Sequence, residues 1–179
     1  MRVSAYARKV PTTPIADGAI AGIDIDGVLA DPTHRLHHLN QRPKNWSAFF
    51  ADAHLDTALA AGLAAVNELV EAGIRIFYVS GRPRYMASQT ESWLARHGLP
   101  NGPMYLRPAR DYRPAPELKL AVYQELAQDY DIHQILDDDV RVFERLRDEG
   151  FPVVLADWYR PDESESDTLS RAQDQQGRT

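Results

Sequence analysis

The chain contains no cysteine, which excludes disulfides, thiolate metal sites and a cysteine nucleophile, and which suits a reducing compartment. No apolar run approaches the roughly 20 residues that a membrane helix needs. The basic residues near the start (Arg2, Arg8, Lys9) are followed by no apolar stretch of the kind a secretion signal carries. Together these absences make the cytoplasm the expected location, with no membrane partner. Positive charge is also scarce: 20 Lys and Arg stand against 26 Asp and Glu, a net charge of −6. Such a surface does not favour sequence-independent binding along duplex DNA, which rests on neutralising phosphates. It leaves contact with a single phosphate or a strand end open. There is no GxxxxGK[ST] segment anywhere, so a P-loop for a nucleoside triphosphate is excluded.

What remains is an ordinary globular composition, 44% hydrophobic and 26% charged over 179 residues, which suits one domain. Residues 1–17 hold Pro11 and Pro14 and no periodicity, and read as an N-terminal arm. Residues 161–179 are polar, with Leu169 their only large aliphatic, and read as a solvated tail. Between them, in residues 18–160, short apolar runs alternate with amphipathic stretches. Strands are expected at Ala19–Ile25, Ile74–Val79, Pro103–Leu106, Ile132–Leu136 and Pro152–Ala156. Helices are expected from Asp56 (as cap) to Ala72, with Leu59, Leu63, Val66 and Val70 on one face, from Pro83 to about His97, over Pro116–Gln128, and over Val140–Glu149. This alternation predicts an α/β fold, a Rossmann-like, doubly wound parallel sheet of about five strands. In such sheets ligands lie at the carboxyl ends of the strands.

The chemistry-bearing residues fall at those ends. Asp24 and Asp26 close the first strand; two residues apart in an extended segment, their carboxylates are expected to face the same way. Asp137, Asp138 and Asp139 follow the fourth strand. Carboxylates gathered in one crevice repel unless a cation is bound, and all-oxygen donors without His or Cys suit Mg²⁺. The alternative for each pair is a turn or a helix cap, and Asp139 is placed to cap the last helix. Ser80-Gly81-Arg82-Pro83 joins the second strand to a helix; it reads as a phosphate cradle at a helix N-terminus, or as a plain serine cap. Lys119, early in the third of these helices to follow, is either a solvated lysine or a counter-charge to phosphate and the acidic cluster.

In this order, DxDGV, SGR, a helix-borne lysine and a DD cluster resemble the four motifs of the haloacid dehalogenase-like (HAD) phosphatase superfamily, over about residues 19–157. The stretches IDIDGVLAD, VSGRP and LKLAVYQEL through ILDDDVRVFERLRDEGFPVVLADW are similar to the 3′-phosphatase domain of phage-type polynucleotide kinase/phosphatases. The resemblance implies Asp24 as nucleophile, Asp26 as general acid and base with a raised pKa, and Ser80 with Gly81 and Arg82 on the phosphoryl oxygens. It also implies Lys119 as charge stabiliser, and Mg²⁺ held by Asp24, Asp26 and Asp137 or Asp138. Ala115 stands four residues before Lys119, where that family carries an acid. The expected reaction is hydrolysis of a terminal phosphate, foremost a 3′ phosphate, on nucleic acid, with a separate kinase or ligase as a partner. Free nucleotides and other small phosphomonoesters are the second substrate class, and a catalytically silent Mg²⁺-binding interaction module is the reading from another class. A receiver domain of two-component signalling fits poorly, because there the lysine comes last and here Lys119 precedes the acidic cluster.

The gaps Asp26–Asp56 and Ser80–Lys119 are too short for a separate cap domain, so an open site is expected. Segment 31–50 is the expected substrate-side flap. Its His34, Arg35, His37 and His38 either face solvent or touch substrate, with Arg35 the candidate for a second phosphate contact. Trp46, Phe49 and Phe50, like Trp158 and Tyr159, either stack on a base or pack against the core.

Overall fold

The computed structural model describes residues 7–8 and 18–159. In chain order the elements are β1 (Ala7–Arg8), β2 (Ala19–Ile23), β3 (Ala30–Asp31), α1 (Trp46–Ala51), β4 (Thr57–Ala58), α2 (Ala60–Glu71), β5 (Arg75–Pro83), α3 (Ala87–Arg96), β6 (Met104–Arg107), α4 (Ala115–Leu126), β7 (Asp131–Asp137), α5 (Val140–Asp148) and β8 (Val153–Leu155). The main sheet runs β1-β6-β5-β2-β7-β8. The five strands from β6 to β8 are parallel, as expected, and β1 adds an antiparallel edge through Ala7 opposite Tyr105 and Arg8 opposite Met104. The rest of the arm 1–17 and the tail 161–179 lie outside the described residues. No helix among the described residues is long and apolar enough to cross a membrane.

Strand alternation divides the core between the two faces of the sheet. From β5, Ile76 and Tyr78 enter a cluster with Val66 and Leu69 of α2 and Trp93 and Leu94 of α3. Their neighbours Phe77 and Val79 enter a second cluster with Leu120, Val122 and Tyr123 of α4 and Val142 and Leu146 of α5. The direction of winding reverses at β2, whose two neighbours β5 and β7 come from opposite arms of the sheet. A crevice opens at such a switch point above the carboxyl ends of the strands.

Two helices begin later than their sequence signals suggest. The helix expected from Asp56 starts at Ala60, because the chain first forms the two-residue β4. Its buried face is Gly62, Val66 and Leu69, and Val70 is exposed. A Cβ at Gly62 would stand 1.9 Å from the carbonyl oxygen of Val28, so this glycine lets α2 press directly on the turn that follows β2. The helix expected from Pro83 starts at Ala87, after a 3-10 turn at Arg84–Met86. Here β5 continues through the SGR segment to pair Pro83 with Arg107, with two extra residues accommodated between Ser80 and Pro83.

Segment 31–50 is not a loop. It belongs to the stretch 32–56, whose ends the ribbon of β3 and β4 ties together and which holds 3-10 turns at Thr33–His38 and Asp52–Leu55 flanking α1. Leu36, Leu39, Trp46, Phe49, Phe50 and Ala53 form a small core of their own with Met86. Of the two roles open to the aromatic trio, the structure places it in packing. No separate cap domain is inserted among the described residues.

Candidate active site

The site grows from the end of β2. Asp24 N–H donates to the Leu136 carbonyl at 3.0 Å, which keeps the two chain segments side by side just where Asp24 and Asp137 emerge. The chain then leaves the strand. Leu29 and Ala30 both donate to the Ile25 carbonyl, and Gly27 donates to Ala30. Gly27 has φ of +80°, and a Cβ there would fall 2.0 Å from Oδ2 of Asp138. Both conditions call for glycine.

Because the backbone turns, Asp24 and Asp26 do not share surroundings as a continuous strand would have required. Asp24 Oδ1 accepts from Ile25 N–H at 2.7 Å, and its Oδ2 accepts from Lys119 Nζ at 2.7 Å. Lys119, buried in α4, also reaches Asp137 Oδ2 at 2.6 Å. Carboxylate oxygens of Asp24, Asp137 and Asp138 all lie within 4.8 Å of one another. Burial, then the neighbouring charge of Asp24, pushes the Asp137 carboxyl up to about 7, with Lys119 opposing. Asp138 is raised well above the ordinary carboxyl range by burial and by Asp24 and Asp137. Burial acts to lower Lys119, but Asp137 and Asp24 outweigh it and hold the ammonium above its usual value. One ammonium thus faces three carboxylates. This all-oxygen set, short of positive charge, fits a hard divalent cation such as Mg²⁺. Asp139 does what a cap does: its Oδ1 accepts from Arg141 N–H at 2.9 Å at the start of α5.

Asp26 belongs to a second cluster. Arg82 binds its Oδ1 through Nη2 (2.6 Å) and its Oδ2 through Nε (3.1 Å), and Arg35 Nη2 also donates to Oδ1. The extra residues in β5 allow this, since such bulges re-aim side chains. Two observations set Asp26 apart from the surroundings expected for it. Its carboxylate lies outside the Asp24–Asp137–Asp138 cluster expected to share the metal. Its pKa is also not raised: burial acts upward, but Arg35 and Arg82 together hold the group well below the usual carboxylate range. Ser80 is buried at the end of β5, and its Oγ accepts from Arg82 N–H at 3.4 Å. With Gly81 it sits in the strand rather than at a helix N-terminus, because α3 starts further on.

Arg35 is fully buried. It donates through Nε to Asp56 Oδ1 and through Nη2 to Asp56 Oδ2, both at 2.7 Å, and its guanidinium lies 4.1 Å from the Phe49 ring centroid. Asp56, read from the sequence as a helix cap, is the residue that reasoning missed. It also accepts from Arg82 Nη2 at 2.9 Å and pairs with His34 Nε2 at 2.9 Å, while Trp93 Nε1 donates to its carbonyl. No local signal marks Asp56, because its arginine partners lie 21 and 26 positions away. Of the remaining flap residues, His38 pairs with Asp52 at 2.8 Å and His37 contacts the His34 carbonyl. Trp158 Nε1 donates to Val28 O at 3.0 Å and Tyr159 pairs with Thr33 at 3.2 Å, so both brace the turn and the flap.

An arrangement with one carboxylate fixed against an ammonium beside a cation-binding cluster, and a second carboxylate held apart by two guanidiniums, can separate nucleophilic attack from proton transfer. Comparison with known proteins identifies the class of enzyme. The sequence model of the family described as polynucleotide kinase PNKP phosphatase domain matches residues 19–157. No match is found among curated proteins. Among solved structures, a chain in the structure of the Pnkp1/Rnl/Hen1 RNA repair complex superimposes with a TM-score of 0.63 at 19% identity, covering 87% of this chain and 46% of its own length. A chain from a second structure of the Pnkp1/Rnl/Hen1 complex gives 0.62 at 23% identity, covering 78% and 46%. The class C acid phosphatase from Bacillus anthracis gives 0.59 at 15% identity, covering 90% and 80%. The chain thus spans about half of the Pnkp1/Rnl/Hen1 chains it matches, and at these identities the likeness is one of fold. The family match, over most of the chain and all of the site just described, shows that this protein belongs to the polynucleotide kinase PNKP phosphatase domains and is a HAD-type phosphatase.

Proposed function

We propose that the protein is a Mg²⁺-dependent phosphomonoesterase that removes a terminal phosphate, foremost a 3′ phosphate, from nucleic acid through an aspartyl-phosphate on Asp24. The observation that carries this reading is the immobilised Asp24 carboxylate, held by Lys119 Nζ and Ile25 N–H beside Asp137 and Asp138. A nucleophile fixed on both oxygens loses little freedom on attack. Asp24, Asp137 and Asp138 would hold Mg²⁺, which supplies Lewis-acid polarisation of the phosphoryl group when bound.

In the first step an Asp24 oxygen attacks phosphorus, the bond to the leaving oxygen breaks, and Asp26 gives that oxygen a proton. In the second, Asp26 takes a proton from water as its oxygen attacks phosphorus, and the bond to Asp24 breaks to release inorganic phosphate. Free Asp26 is held ionised by Arg35 and Arg82, which suits the second step. For the first step, an incoming phosphate places negative charge beside Asp26 and competes for the Arg82 guanidinium, and both effects raise its proton affinity. Lys119 and Ser80 would bind the phosphoryl oxygens. Arg35 acts through Asp26 and Asp56 in this scheme.

The family match supports the nucleic-acid substrate, and the structural likeness to a chain from an RNA repair complex supports work alongside a separate kinase or ligase. The net charge of −6 favours the second reading, a phosphatase for free nucleotides. The test is phosphate release, with Mg²⁺ and with EDTA, from a 3′-phosphorylated oligonucleotide, a 5′-phosphorylated one and mononucleotides. Mg²⁺-dependent release from the 3′ end, abolished by Asp24→Asn in a folded protein, is the expected result. Release from mononucleotides alone moves the substrate to the second reading, and turnover by Asp24→Asn near the wild-type rate removes Asp24 as nucleophile.

A further inference from the structure

A hollow of about 640 Å³ lies beside the catalytic crevice, among residues from α1, the end of β5 and the segment that follows β6. That volume is in the range of small-ligand sites. Its floor includes Trp46 and Phe50, and two exposed tyrosines, Tyr85 (75% exposed) and Tyr112 (58%), stand at its rim. Tyr85 makes an edge contact with Phe50, ring centroids 6.4 Å apart. The chain as a whole is acidic, yet the lining reverses the sign: Arg84, Arg107 and Arg110 against a single acid, Asp111. Asp111 is itself held by Arg113, at 2.6 Å.

Of the three arginines, Arg107 is built into the wall, and Arg110 is exposed. Arg107 is buried and its Nη1 donates to the carbonyls of Asp111 (3.2 Å) and Arg113 (2.8 Å), bracing the segment that carries Arg110 and Tyr112. Burial pushes the Arg107 guanidinium down to about 10, with Asp111 opposing and Arg113 adding to the shift; an anion alongside would reverse that cost. Arg110 holds φ of 67° in the turn that follows β6, a left-handed conformation uncommon for a residue with a side chain.

The position specifies the occupant. Pro83 and Arg107 pair at the carboxyl ends of β5 and β6, and β6 lies two strands from β2, which leads into Asp24. Two strand spacings amount to about 10 Å, further than a phosphoryl group reaches and close to the span of one nucleotide. Aromatic rims beside arginines recognise single-stranded nucleic acid by stacking bases and pairing with the backbone. We propose that this hollow seats the terminal nucleotide of a 3′-phosphorylated single strand, with its base against Tyr85 and Tyr112 and the phosphate on its 5′ side at Arg84, Arg107 and Arg110. The inference rests on the phosphatase reading above and names the part of the substrate that selects it.

The test compares kcat/KM for p-nitrophenyl phosphate, thymidine 3′-monophosphate, thymidine 3′,5′-bisphosphate and a 3′-phosphorylated oligothymidylate, in the wild type, in Arg110→Ala and in the double variant Tyr85→Ala/Tyr112→Ala. In the wild type the bisphosphate is expected to exceed the monophosphate by about tenfold or more, and Arg110→Ala to reduce that ratio. The double variant should lower the ratio of oligothymidylate to p-nitrophenyl phosphate by about tenfold. Ratios that do not move in either variant overturn the seat, as would be found if the rim served a protein partner. Hydrolysis of p-nitrophenyl phosphate with no preference for any 3′-phosphorylated nucleotide also overturns it while leaving the phosphatase chemistry standing. If no phosphoester is hydrolysed, the phosphatase reading fails by itself. Fluorescence anisotropy of a labelled oligothymidylate ending in a 3′ hydroxyl then decides the seat: binding lost in the double variant supports it, and equal binding overturns it.

Discussion

Asp56→Ala is expected to be the most damaging substitution outside the Asp24–Asp137–Asp138 cluster, although the proposed scheme gives Asp56 no part in the chemistry. Its carboxylate accepts from Arg35 at 2.7 Å through two nitrogens and from Arg82 at 2.9 Å, and all three side chains are buried. Two guanidiniums and two carboxylates balance in this cluster; removing Asp56 leaves Arg35 and Arg82 to share Asp26 with no solvent to take the excess charge. Breaking one partner out of a buried ion pair costs about 3–5 kcal/mol. For a chain of this size each kcal/mol moves the unfolding temperature by about 2–4 °C, so a fall of about 6–20 °C is expected. Activity should fall too, since both arginines close on Asp26 and hold its ionised form more firmly. The assay is thermal unfolding followed by circular dichroism in EDTA, for Asp56→Ala, Arg35→Met and the double variant. The double variant removes one charge of each sign and should be less destabilised than Asp56→Ala alone. A loss below about 1 kcal/mol for Asp56→Ala, or strict additivity in the double variant, would refute the claim that this cluster is held by charge balance.

Two further outcomes follow from the metal cluster. Lys119→Met should lower kcat by about 10²–10³-fold, the range for losing one preorganised charge at a reacting centre; steady-state kinetics with saturating Mg²⁺ read it, and a kcat within threefold or so of wild type would contradict the role. Without metal, stability should decline as pH rises from about 5 towards 8. Asp137, pushed up to about 7 when folded, holds a proton there that the unfolded chain, with its ordinary value of 3.8, has already released. Mg²⁺ at a hundred times its dissociation constant should add about 2.7 kcal/mol. The gain should be greater at about pH 8 than at about pH 5, because only ionised carboxylates ligate. Equal unfolding temperatures with Mg²⁺ and with EDTA at the higher pH would count against the cluster as a cation site.

Much of this architecture was legible because it rests on local, periodic signals. The unbroken apolar run Ile76–Val79 reports a strand buried on both faces, and the acids that follow Ile23 and Leu136 mark strand ends; both follow from side-chain geometry along one segment. What escaped was set by contacts distant in sequence. An aspartate ahead of a helix has the same local pattern whether it caps the helix or, like Asp56, binds arginines 21 and 26 positions away. The extension of β5 past Ser80 depends on pairing with β6, which no reading of Ser80–Pro83 alone contains. Crowding with other carboxyls was expected to raise the pKa of Asp26; the arginines that reverse this come from the flap and from the bulged end of β5, and only the fold brings them together.

Arg35 and Asp56 lie near opposite ends of the segment that β3 and β4 tie off, and together they supply one positive and one negative charge to the cluster around Asp26. That segment therefore adds no net charge to the cluster. Exchanging it whole for a related one, as recombination or a grafting experiment would, carries both charges across and leaves the balance around Asp26 intact. A crossover that separates Arg35 from Asp56 strands a charge in the interior. The boundaries at which this segment can be exchanged are thus set by charge balance, and lie at the ribbon rather than at any turn inside it.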